Sequence, residues 1–168
     1  NPFVRALAED ASGRLWAGTR EGLAYFDGDR WATEPLPVEG VQPRVYGLAV
    51  LPPDGLLVGT RNGLYHREGS RWRSYRAPDG LPDDFVTAVH PDGAGGAWIG
   101  TAAGLARWRD GKLEGSGTPE TDQAFVLSLA RTPAGALYVG LRAGGVVVME
   151  PTGVRVIEFL LEGGVRVR

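Results

Sequence analysis

Two histidines, five serines and two adjacent carboxylate pairs are the residues best suited to catalysis in this chain, and their spacing gives them no common centre. His66 and His90 fall on separate predicted strands. A metal site would need a third ligand converging on them from elsewhere. None of Ser12, Ser70, Ser74, Ser116 and Ser128 sits in a G-x-S-x-G elbow. Glu9-Asp10 and Asp83-Asp84 are sequence neighbours, and adjacent residues of an extended chain point to opposite faces, so neither pair forms an acid/base couple by itself. Turn capping is the simpler role for them. The glycine-rich stretch 92–96 lacks the Lys-Ser/Thr pair and the following helix of a phosphate loop. With no cysteine in the chain, thiolate catalysis, disulfides and cysteine-held metal centres are excluded.

The charge balance removes further classes. Eighteen basic and 20 acidic residues give a net charge of −2, and no basic tract exists that could follow a phosphate backbone, so no nucleic-acid partner is expected. No apolar run approaches the ~20 residues of a membrane helix. The chain opens on Asn1 without a signal peptide and reads as a piece of a longer protein. No cofactor and no metal is expected.

The elements that carry these residues follow from an internal repeat. WAGT at 16–19, LVGT at 57–60 and WIGT at 98–101 recur, with YVGL at 138–141 as a fourth, degenerate copy. Their glycines, Gly18, Gly59, Gly100 and Gly140, are 41, 41 and 40 residues apart. Val4, Val45, Val86 and Val126 each precede one of them by 14 residues. Gly22, Gly63, Gly104 and Gly145 follow, and then the apolar anchors Trp31, Trp72, Leu113 and Val154. Within the first copy the spacing predicts strands over 4–9, 14–19, 23–27 and 31–33, joined by turns rich in Gly and Asp. Helical periodicity never lasts beyond two turns.

Four short antiparallel strands per unit of about 40 residues predict an all-β fold, a β-propeller of four four-stranded blades. The blades run approximately over 2–41, 42–82, 83–122 and 123–162. Each sheet has two apolar faces and must stack against neighbours. Val167 lies 41 residues after Val126, so 163–168 reads as the first strand of a further blade. An open arc exposes apolar faces, so a homo-oligomer, or further blades of a parent chain, is expected to complete the ring.

The copies resemble the two-component regulator propeller repeat of bacterial hybrid histidine kinases. The first copy carries this through Val4, Ala6-Leu7, Glu9-Asp10, Gly13, Leu15-Trp16, Gly18-Thr19 and Gly22-Leu23. The third does so through Gly80-Leu81-Pro82, Val86, Ala88-Val89, Trp98-Ile99-Gly100-Thr101 and Gly104-Leu105. Blade four departs, with Leu141 in place of Thr and a residue inserted near Gly144. The resemblance implies an extracytoplasmic, periplasmic sensor propeller that binds small ligands such as saccharides and precedes a membrane helix and a kinase.

Ligands usually meet propellers at the loops before the innermost strand and between the second and third strands. Here those loops bring Arg20, Arg44, Arg61, Asn62, Asp83, Asp84, Gln123 and Arg142 to one rim, with Tyr46 on the adjoining first strand. Arginines there would pair the oxyanions of an acid or an anionic sugar bidentately. The position after each landmark valine, Arg5, Tyr46, Thr87 and Leu127, is variable as a channel lining would be. The expected function is a non-enzymatic ligand- or partner-sensing module of a bacterial signalling receptor. The alternatives are an interaction or dimerisation scaffold and a propeller enzyme of lyase or lactonase type.

Overall fold

The repeat folds into four antiparallel sheets, each made from consecutive strands, in a computed structural model describing residues 3–116, 118–159 and 165–167. Blade one contains β1 (Val4–Glu9), β2 (Leu15–Thr19), β3 (Gly22–Phe26) and β4 (Trp31–Glu34). Blade two contains β5 (Val45–Leu51), β6 (Gly55–Thr60), β7 (Gly63–Glu68) and β8 (Arg71–Tyr75). Blade three contains β9 (Val86–Pro91), β10 (Ala97–Thr101), β11 (Gly104–Arg109) and β12 (Lys112–Gly115). Blade four contains β13 (Val126–Arg131), β14 (Leu137–Leu141), β15 (Val146–Glu150) and β16 (Gly153–Phe159). The fourth sheet has a fifth strand, β17 (Val165–Val167), paired antiparallel to β16 with Ile157 opposite Val167. Of the segment 163–168 expected to open a new blade, the described residues 165–167 are therefore seated at the outer edge of the fourth sheet, and the others lie outside the described residues. The reason is physical: an unpaired edge of β16 is a template for any nearby strand.

Glycine and threonine of the Gly-Thr pair have separate tasks. Gly18, Gly59 and Gly100 stand where a Cβ would come within 2.5, 2.6 and 2.5 Å of Cγ1 of Val45, Val86 and Val126, the landmark valine of the next blade. Bare backbone there lets neighbouring sheets close on each other. The threonines lock the following turn. Thr19, Thr60 and Thr101 donate their hydroxyls to the carbonyls of Gly22, Gly63 and Gly104 at 2.8–2.9 Å. Those three glycines have φ between +116° and +141°, a region that side chains resist. In blade four Leu141 cannot do this, and its turn closes through the backbone, Leu141 N–H to the Gly145 carbonyl at 3.2 Å.

Three apolar layers hold the arc together, one at each blade junction. Trp16, Leu48, Leu56, Val58 and Tyr65 fill the first, Leu57, Tyr75, Val86, Ile99 and Trp108 the second, and Leu105, Val126, Leu137, Val139 and Val147 the third. The inner strands β1, β5, β9 and β13 lie side by side in that order. The other face of blade one is not covered: Leu7 is 60% and Trp31 52% exposed.

Candidate functional site

A bulge recurs at the same place in every inner strand, and it builds the site. The register against the second strand shifts between Val4 and Ala6, between Val45 and Gly47, and between Val126 and Ser128. In blade three Val86 faces Thr101 and Ala88 faces Gly100, so Thr87 is skipped. The skipped residues are Arg5, Tyr46, Thr87 and Leu127. A bulged residue leaves the ladder and its side chain is re-aimed. The variable position after each landmark valine is the one so released in every blade. Thr87 uses its freedom to donate its hydroxyl to the Val126 carbonyl at 2.7 Å, tying blade three to blade four.

Together with the residue before the landmark valine of blades three and four, the bulges assemble a row of three adjoining rings, each with a guanidinium over it, that draws on all four blades. Arg5 lies over the Tyr46 ring, 5.0 Å from its centroid. Tyr46 meets Phe85 edge-on, centroids 4.9 Å apart at 64°. Arg61 lies over Phe85 at 4.9 Å. Phe85 meets Phe125 at 5.9 Å and 89°, and Arg142 covers Phe125 at 5.1 Å. The arginines reach these rings because Arg61 N–H bonds to the Arg44 carbonyl at 3.2 Å and Arg142 N–H to the Phe125 carbonyl at 2.9 Å. Those bonds pin the second-to-third-strand turn beside the entry to the inner strand.

Each cation–π contact contributes about 0.5–1 kcal/mol at an exposed position. Their greater effect is to limit where each guanidinium can go. Among the described residues, the ion pairs are Arg107 and Arg109 with Asp92, and Arg155 with Glu150. Among the described residues, Arg5, Arg61 and Arg142 are thus paired with no carboxylate.

The rim residues expected from sequence separate into three groups. Tyr46, Arg61 and Arg142 join the row. Arg20, Arg44, Asn62 and Gln123 are exposed; Gln123 is held at φ +57°. Asp83 and Asp84 are committed to the loop, Asp83 accepting the Phe85 N–H and Asp84 the Ala77 N–H, both at 2.7 Å. Phe85 and Phe125, at the centre of the row, were not singled out by composition or charge. The 41-residue register could have found them, since they occupy the place that Phe3 and Arg44 hold in the first two blades.

The histidines do not share a centre. His66 lies at the junction of blades two and three, its ring 4.6 Å from Trp108. His90 is opposite Trp98, and Trp98 packs into the junction of blades three and four. The sheet of blade three thus separates them.

The model of the family described as "Two component regulator propeller" matches residues 1–21 and 80–103. Those are the repeats whose motif residues carry the resemblance. No curated protein matches the chain. Among solved structures, the chain is similar to the extracellular domain of a protein assigned as a hybrid two component system of B. thetaiotaomicron, with TM-score 0.78 and 16% identity. That match covers 94% of this chain and 23% of the other, so the chain spans under a quarter of that domain. A second such domain from the same organism aligns at TM-score 0.57 and 18% identity, covering 99% of this chain and 30% of the other. A virginiamycin B lyase from Staphylococcus aureus, in a catalytically inactive form with quinupristin, aligns at TM-score 0.74 and 11% identity, covering 99% of this chain and 70% of the other. At these identities the likeness shows a propeller fold and leaves function to the site.

Proposed function

We propose that the chain is a non-enzymatic sensing module of a bacterial signal-transduction receptor and that its ligand docks on the arginine–aromatic row. The single observation carrying this is the row itself: Arg5, Arg61 and Arg142 stacked on Tyr46, Phe85 and Phe125, with no carboxylate among the described residues paired to any of them. Guanidiniums held by their faces present a preformed fork to oxyanions, so less entropy is lost on binding. Aromatic rings between the forks favour a ligand with apolar patches between its acidic groups, such as a short anionic saccharide or a dicarboxylic acid. The matched repeats and the likeness to extracellular receptor domains support a signalling role and an extracytoplasmic, periplasmic location.

Isothermal titration against a panel of uronic acids and dicarboxylic acids tests the reading. A ligand should emerge, and Arg61→Ala should weaken it about tenfold, the loss expected for one charge-assisted bond. Equal affinity in that variant would remove the row from the site.

The uncovered face of blade one also supports a partner, which we take to be a second copy of the chain. Its apolar side chains, Leu7 and Trp31 foremost, resemble in kind those that fill the three internal junctions.

A further inference from the structure

Blade two breaks the repeat at a second place, away from the rim. In blades one and three the residue that closes the first strand is an aspartate, Asp10 or Asp92. Each caps its own turn through Oδ1 and engages a neighbour through Oδ2: the Trp16 Nε1–H for Asp10, and the Arg107 guanidinium for Asp92. Blade two has Leu51 in this place, and His66 where blade three has Arg107. The acid and its cation are both gone. A groove of about 340 Å³ runs between blades two and three at this point, within the size range of small-molecule sites.

Two residues that line that groove carry buried donors, closed off from solvent, with no hydrogen-bond partner among the described residues: the Tyr75 hydroxyl and the Trp108 indole N–H. Their residues are 8% and 4% exposed. Leaving a buried donor unpaired costs about 1–3 kcal/mol, so two in one place point to an acceptor that belongs there. Glycines flank this part of the groove. An atom at the Cβ position of Gly111 would lie 3.5 Å from Tyr75 Oη and 3.9 Å from Arg73 Nη1. One at the Cβ position of Gly55 would lie 3.6 Å from His66 Nε2. Arg73 is exposed and free to swing aside. The mouth is acidic, with Asp54, Glu68 and Asp110 on the lining, which disfavours an anion. Arg73 and the two donors disfavour a cation.

We propose that this groove binds a small uncharged polyhydroxy molecule, whose oxygens accept from Tyr75 and Trp108 while its hydroxyls donate to the carboxylates at the mouth. A hydroxyl both accepts and donates, which matches donors on the floor and acceptors at the rim of one site. Burial also pushes the His66 imidazole below its ordinary value, so near neutral pH it offers one donor and one acceptor. The site is independent of the arginine–aromatic row.

The test is an NMR titration of the 168-residue chain with glycerol, myo-inositol and glucose, reading the Trp108 indole N–H, with acetate as the charged control. At least one uncharged probe should move that resonance downfield. Tyr75→Phe, which keeps the ring and its packing, should weaken the apparent affinity about tenfold, while Arg61→Ala should leave it unchanged. An indole resonance still through all three titrations, one moved by acetate instead, or one moved equally in Tyr75→Phe would overturn the proposal.

Discussion

Asp92 braces blade three through both of its carboxylate oxygens. Its side chain is 1% exposed. Oδ1 accepts the N–H groups of Ala94 and Gly96 at 2.8 and 2.9 Å, and Oδ2 takes Arg107 at 2.6 Å and Arg109 at 3.2 Å. Burial by itself would raise this carboxyl. The Arg107 bond and the two backbone amides, with Arg109 behind them, outweigh burial and hold it down at about 2. A carboxyl at about 2 rather than 3.8 contributes roughly 2 kcal/mol of stability. Since the folded value is the lower one, that stability is fully present above pH ~4 and is lost as the pH falls toward 2. Asp92→Asn should therefore lower the unfolding free energy by about 2 kcal/mol at neutral pH, with the gap to wild type closing by pH ~2. Urea titrations at a series of pH values measure this. A gap independent of pH would mean that the charge is not the cause.

The strand is the scale at which the repeat was most legible. Five landmarks in register fixed the blade length, and the predicted 4–9, 14–19, 23–27 and 31–33 lie within a residue or so of β1 to β4. The bulge was not legible, because a sequence period counts residues and not pairings, and one skipped residue per inner strand leaves the period intact. Phe85 and Phe125 escaped for a related reason. They matter only once the bulge turns Tyr46 toward them, and a search keyed to ionisable groups passes over phenylalanine. The groove between blades two and three had a visible signal in Leu51, which departs from Asp10 and Asp92, but its orphaned donors required coordinates.

Close approach by the Gly-Thr glycine gives a prediction at the same scale. Gly100→Ala would drive a methyl into Val126, part of the third junction, and should cost about 2 kcal/mol as overpacking does. At the equivalent Gly140 the one tight contact is the Ser128 hydroxyl, which can rotate away, while the Ser128 carbonyl and Cβ stand at 3.7 and 3.8 Å, so Gly140→Ala should cost less than about 1 kcal/mol. Thermal melts of the two variants side by side separate junction packing from strand propensity. Equal losses would show that the glycines serve the strand and not the junction.

At the scale of the whole molecule, the arc has three filled junctions and an exposed apolar face on blade one. Such a patch favours association. Sedimentation of the 168-residue chain should show a species heavier than the monomer, and Trp31→Glu, which places a charge on that face, should return it to monomer. A monomer at every concentration would contradict the expected second copy. Electrostatics of the rim act on the same scale, because one row draws on all four blades. A ligand that neutralises Arg5, Arg61 and Arg142 together must lose affinity as salt screens those charges. Calorimetric titration with a uronic-acid oligomer across a range of salt tests this most directly. Binding should weaken steadily with salt in the wild type, and the variant lacking all three arginines should bind more than about a hundredfold less tightly. Affinity indifferent to salt and unchanged in that variant would contradict a ligand seated on the arginine–aromatic row.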